Sequence, residues 1–289
     1  MGISINLLSM SKEQHSEQEI QEELHEHYND IEDFICGVAE DRFHLVINGT
    51  AGMGKTEFTN DVLKQYRPNN KFGKTPIKKP IRLSGTASGI KMFVELQKAK
   101  EQGQITIVDD TDKLLEDVEC LDLLKGCLDS QIDEETGLRK EVAWSKYSNA
   151  IKQQDVKEKF IYNGKLIIIT NKRIQNIQDD NPTMSRLRLD PVMSRCQYLK
   201  AGLPNNEFKM IAIKMFFNGY RKERRYQLRC FKTHNIPEDA QLKIINFMDK
   251  HKDRFTELSF RTVDKMCTLY NHRPDRWDRL AMQSLFSQY

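Results

Sequence analysis

Gly49-Thr50-Ala51-Gly52-Met53-Gly54-Lys55-Thr56 is the stretch on which the reading of this chain turns. It fits the pattern GxxxxGK[ST] at every position. Glycines at this spacing let the main chain curl so that several N–H groups face one anion. A helix opening straight after them turns its positive end toward the same point. In such a loop Gly49, Thr50, Ala51, Gly52, Met53 and Gly54 wrap the phosphates of a nucleotide with main chain. Lys55 reaches the β- and γ-phosphates, and the Thr56 hydroxyl ligates Mg²⁺. The flanks agree, because residues 43–48 read as a short apolar strand and residues 56–66 as a helix. Asn48-Gly49-Thr50 also matches a glycosylation acceptor, but a loop filled by nucleotide leaves no room for that use.

Outward from the loop, apolar strands are expected at 81–83, 105–108 and 166–170. Helices are expected at 90–100 and 114–128, and a Pro-, Lys-, Asn- and Gly-rich loop at 67–80. Near-continuous apolar strands alternating with helices argue for an α/β fold with a mostly parallel sheet covered on both faces. Upstream, residues 12–40 read as one amphipathic helix, with Ile20, Leu24, Tyr28, Ile31, Phe34 and Ile35 at helical spacing. Past Pro204 the pattern turns helical throughout, at 205–218, 221–233, 238–252, 261–271 and 276–286. The expected division is an acidic N-terminal helix (1–40), an α/β core (41–200) and a small helical domain (201–289).

Chemistry is expected at the strand ends. The strand at 105–108 runs into Asp109 and Asp110, about 55 residues after the glycine loop. Asp109 is placed to hold Mg²⁺ through water. Asp110 points to the other side of the strand and is the candidate for polarising an attacking water. Asp112 reads better as a helix cap. The strand at 166–170 ends in Asn171, a polar amide suited to placing a water. Some 24 residues later comes Arg195, within Asp190-Pro191-Val192-Met193-Ser194-Arg195-Cys196.

Together these segments resemble the AAA+ ATPases over about residues 30–275. The loop 49–56 looks like Walker A, 105–110 like Walker B, and 166–171 like sensor 1. The segment 189–196 looks like the one that carries the arginine finger. Ser194-Arg195-Cys196 is similar to the Ser-Arg-Cys motif of clamp loaders, and 258–262 looks like the start of a lid helix carrying sensor 2. AAA ATPases encoded by bacteriophages share the Asp-Asp-x-Asp strand end, a Leu-Leu-Lys helix (Leu123-Leu124-Lys125), a Trp-Ser segment (Trp144-Ser145) and the Ser-Arg-Cys.

The resemblance implies a P-loop sheet of order 5-1-4-3-2 with a helical lid. It also implies ATP and Mg²⁺ as ligands, and a homo-oligomeric ring taken as a hexamer. Arg195 would reach the γ-phosphate bound by the neighbouring subunit, with Arg186 and Arg188 as second choices. Arginine suits this task because its planar fork meets phosphate oxygens and keeps its charge. Arg261 would contact the same phosphates from the lid of its own subunit. The implied function is ATP hydrolysis coupled to remodelling of a protein or nucleic-acid partner. The alternatives are a clamp-loader-like or helicase-loader-like replication accessory, and a nucleotide-dependent scaffold that does not hydrolyse.

Composition narrows the remaining classes. The chain has 289 residues, of which 38% are hydrophobic and 30% charged, and no apolar run nears the ~20 residues of a membrane span. No basic-then-apolar N-terminal segment announces secretion, and Asn6 stands where a myristoylation signal wants Ser or Thr. The six cysteines form no CxxC pair and no zinc spacing, and the seven histidines show no HExxH. A reduced, cytoplasmic chain is expected, in host cytoplasm if a phage encodes it.

The net charge of +3 hides an asymmetry. Residues 1–40 hold one lysine against ten acids, and residues 200–289 hold eighteen basic residues against ten acids. Three elements are candidates for touching a substrate. The first is the connection 84–91 with Ile90, Lys91 and nearby Phe93, where no exposed aromatic suited to threading stands out. The second is an insertion at 129–162, in which 139–144 and 158–162 would pair as a hairpin with Lys146, Lys152 and Lys157 near its tip. The third is the basic run at 221–225.

Overall fold

The computed structural model describes residues 16–66, 78–84, 88–109, 114–129, 132, 141–143, 156–172, 174–180, 182–220 and 228–287. Among these, contacts gather 31–49 and 62–201 into one unit, and 16–30, 50–61 and 202–287 into another.

The first unit holds a five-stranded parallel sheet. Its strands are β1 (His44–Asn48), β2 (Ile81–Ser84), β3 (Ile105–Asp109), β6 (Lys165–Thr170) and β7 (Cys196–Lys200). They lie in the order β2-β3-β6-β1-β7. Counted along the chain without the small hairpin, this is the expected 5-1-4-3-2. Every residue of β1, β3 and β6 is buried, so these central strands are covered on both faces. The register sets Ile47 against Ile169 and Val108 against Ile168. Helices α3 (Gly89–Lys98) and α4 (Val118–Leu128) supply Phe93, Leu96, Leu121 and Leu124 to the core around Val108 and Ile168. α4 starts later than the apolar pattern suggests, because Asp117 is its N-cap and accepts from the Cys120 N–H at 2.9 Å.

β7 escaped the sequence reading. It is an edge strand of mixed burial, with only Leu199 buried, so it carries no apolar run. The expected hairpin is present as β4 (Glu141–Ala143) paired antiparallel with β5 (Lys159–Ile161). Val142 and Phe160 lie opposite each other and join the core. Phe93 is fully buried, with its ring 5.2 Å from that of Phe160, so it is core rather than a substrate contact. Trp144, Lys146, Lys152 and the run 221–225 lie outside the described residues.

The second unit is helical. After Pro204 come α7 (Asn206–Phe217), α8 (Arg229–Thr233), α9 (Glu238–Lys250), α10 (Phe260–His272) and α11 (Trp277–Leu285), preceded in the first unit by the short α5 (Ile174–Asp180) and α6 (Asp190–Met193). Asn205 and Ser259 cap α7 and α10. Met210, Ile213, Ile244, Met248, Val263 and Met266 form its core. The long α1 (Glu17–Ala39) buries Ile20, Leu24, Tyr28, Ile31, Ile35 and Val38, which repeat at helical spacing. Among the described residues no helix is long and apolar enough to cross a membrane.

Candidate functional site

The glycine loop leads into α2 (Lys55–Gln65). Gly52 and Gly54 have φ of +76° and +79°, the left-handed region that side chains disfavour. With Met53 between them, two such residues curl the main chain as an anion-binding loop requires. Lys55 is buried, and its Nζ donates to the Thr50 carbonyl at 2.8 Å, so the ammonium lies back against the loop. Thr56, beside it on the first turn of α2, is half-buried.

Within the second unit, the start of α10 pins this loop. The Phe260 N–H, at the start of α10, donates to the Gly52 carbonyl at 3.0 Å. A Cβ on Gly52 would fall 2.7 Å from the Ser259 side chain, so the close approach is possible only for glycine. Arg261 is exposed on the first turn of α10, the same segment that touches the loop.

Beside the loop lies a cavity of about 220 Å³ that the sequence reading did not anticipate. Tyr28, Phe58, Phe216 and Phe260 give it aromatic walls, and Met53 and Gly54 join it to the loop. The Tyr28 ring lies 5.5 Å from Phe58 and 5.0 Å from Phe216, and Phe216 lies 5.1 Å from Phe260. Burial, with Tyr220 beside it, pushes the Tyr28 phenol up, so the ring stays neutral. Arg229 supplies charge at this cavity, with Nη2 2.5 Å from Asp61 and Nη1 3.3 Å from Glu57. The only trace of this pocket in the sequence is aromatic residues spread over four separate segments, which no local pattern links.

In the first unit the polar residues gather at the C-terminal ends of the central strands. Asn48 Nδ2 donates to the Lys172 carbonyl at 2.5 Å, the Gly49 N–H donates to Thr170, and the Ala201 N–H to Asn48. These bonds fix where β1 hands over to the loop. Asp109, 4% exposed, ends β3 with Oδ2 3.3 Å from Arg82 Nη1. Asn171 is half-buried directly after β6. Asp110 lies outside the described residues.

Arg195 follows α6. Its Nη1 donates to the Pro191 carbonyl at 2.7 Å, and its Nη2 lies 3.8 Å from Asp129. Its side chain retains 27% exposure, so it is held by its own chain without being sealed in. Arg188 pairs with Asp122 at 3.3 Å. Among the described residues no three His, Cys, Asp or Glu side chains cluster as a metal site. A buried carboxylate and a threonine hydroxyl are hard oxygen donors. Each by itself is a donor of the kind Mg²⁺ takes, an ion that uses few protein ligands and fills its shell with water and phosphate.

Five parallel strands in this order, with a glycine loop after the first in sequence and a helical C-terminal region, make an α/β fold of the P-loop kind. No family model matches the chain. It is 24% identical over 237 residues to an uncharacterized 36.7 kDa protein in the nrdC-mobD intergenic region of Enterobacteria phage T4. That match covers 82% of this chain and 66% of the phage protein. Among solved structures it is similar to the Holliday junction branch migration motor RuvB of Thermotoga maritima (15% identity, 89% of this chain and 62% of RuvB, TM-score 0.41). It is also similar to ORC2 of Aeropyrum pernix, solved as ADPNP–ADP complexes (10% identity, 98% of this chain and 71% of ORC2, TM-score 0.49). The chain therefore spans just under two thirds of the phage relative and of RuvB.

Proposed function

We propose that this chain binds and hydrolyses ATP with Mg²⁺ as a homo-oligomeric ring, and that turnover remodels a protein or nucleic-acid partner. The observation that carries the reading is the conformation of residues 49–56: two left-handed glycines, a buried lysine turned onto the loop, and a helix opening at that lysine. Main-chain amides and Lys55 hold the phosphates, and the neighbouring aromatic cavity has the walls that a planar base would fill. Thr56 and Asp109 are the residues that would hold Mg²⁺, which would supply neutralisation of charge on the phosphate oxygens. Asp110 takes the proton of the attacking water, and Asn171 orients it. Arg195 serves the adjoining subunit once it releases Asp129, and Arg261 acts from the 201–289 lid. With a T4 protein as a relative, a phage source and host cytoplasm are part of the same proposal.

Phosphate release from ATP, wild type against Asp110→Asn, is the test. The reading expects Mg²⁺-dependent turnover in the wild type and at least about a hundredfold loss in the variant, as for removal of a general base. Equal, measurable rates would remove Asp110 from the chemistry, and no turnover by either protein would leave only the scaffold alternative. Stimulation by DNA that fades as salt rises would assign the partner to nucleic acid.

A further inference from the structure

Six cysteines are free in the fold, and two of them, Cys230 and Cys267, share a hydrogen bond. Cys230 is on α8 and Cys267 on α10, helices that pack together in the second unit. Cys267 is fully buried in the helical core, while Cys230 is half-buried against that core and also lines the aromatic cavity. One thiol of the pair is thus reachable from a cavity, and the other stands behind it.

We propose that Cys230 and Cys267 are a redox modification site, closing to an intramolecular disulfide when a hydroperoxide enters the cavity. The electronic setting supports the order of events. The Cys267 S–H donates to the Cys230 sulfur, and the Phe231 main-chain amide adds to it. Together these hold the Cys230 thiol below its usual range, against the opposing effects of burial and Asp264. Cys267 is pushed up by the same hydrogen bond and by burial. The other four thiols are all pushed up by burial, Cys36 to about 11 and both Cys120 and Cys196 to about 12. Cys230 is therefore the thiol with most thiolate character, the form that attacks peroxides.

The chemistry balances with the peroxide as oxidant. The Cys230 thiolate attacks the terminal oxygen of ROOH, the O–O bond breaks, and ROH departs with a proton, leaving a sulfenic acid. The Cys267 sulfur then attacks the Cys230 sulfur, the S–O bond breaks, and water leaves with the Cys267 proton. The two thiols lose two electrons between them, and the peroxide is reduced to an alcohol and water. The bond ties α8 to α10. Arg229, next to Cys230, pairs with Asp61 and Glu57 at the cavity, so the cross-link acts where the pocket is lined.

The experiment treats reduced full-length protein with a small molar excess of hydrogen peroxide, followed by iodoacetamide and non-reducing tryptic mass mapping. The expected result is a linked pair of peptides containing Cys230 and Cys267, with both thiols protected from alkylation and recovered on adding dithiothreitol. In Cys267→Ala protein, Cys230 should instead advance to sulfinic acid. Both cysteines remaining alkylatable in the treated wild type, or Cys230 linked to a different cysteine, overturns the proposal whatever the variant does. Any change in ATP affinity on oxidation rests on the function proposed above. It is scored separately by titration, so failure of one reading leaves the other standing.

Discussion

Arg82 on β2 holds its guanidinium 3.3 Å from the carboxylate of Asp109 on β3, the acid proposed to face Mg²⁺. The partners are unequal, since the Arg82 side chain is 37% exposed and that of Asp109 only 6%. A fixed positive charge beside a metal-binding carboxylate orients it and also opposes the cation. Solvent at Arg82 weakens that opposition, so the effect should be small. Arg82→Ala is expected to tighten Mn²⁺ binding to the ADP complex about two- to fivefold, read by electron paramagnetic resonance titration. Weaker or unchanged binding would remove Arg82 from the account.

Gly52 is constrained twice, by its φ of +76° and by Ser259 standing 2.7 Å from where a Cβ would sit. Gly52→Ala should lose about 1–3 kcal/mol of stability in urea denaturation, combining left-handed strain with a forced shift at the start of α10. Gly54→Ala meets the Phe260 ring at 3.1 Å, an edge with more room to give, and should lose less. Equal, near-wild-type stability for both would contradict the close packing of loop and helix.

Arg195 donates to Pro191 and lies near Asp129 within its own chain. If its working contact is in a neighbour, Arg195→Ala keeps ATP affinity and loses about 10³-fold or more in turnover. Mixed with Lys55→Ala protein, which retains its own Arg195, it should recover part of the activity. Mixtures no more active than the separate variants would count against a shared site.

How far the sequence reached depends on how local each signal is. The glycine loop, the central strands and the capped helices are written in contiguous residues. For them, buried runs such as 166–169 suffice. β7 was missed because an edge strand with one buried residue satisfies its backbone through β1 rather than through an apolar pattern of its own. The aromatic cavity was missed for a related reason. Tyr28, Phe58, Phe216 and Phe260 each read as a core residue of a separate helix or helix start, and only the tertiary fold turns them toward one space. The Arg82–Asp109 pair likewise needs the parallel register that sets Ser84 opposite Asp109.

The central claim is that residues 49–56 hold a triphosphate through main-chain amides and Lys55. Calorimetric titration of MgATP into wild-type and Lys55→Ala protein tests it most directly. The account predicts saturable binding by the wild type and a loss of at least about tenfold in affinity for the variant, as for removal of a charged hydrogen bond. Equal affinity in the two proteins, or no binding by a folded wild type, would contradict it.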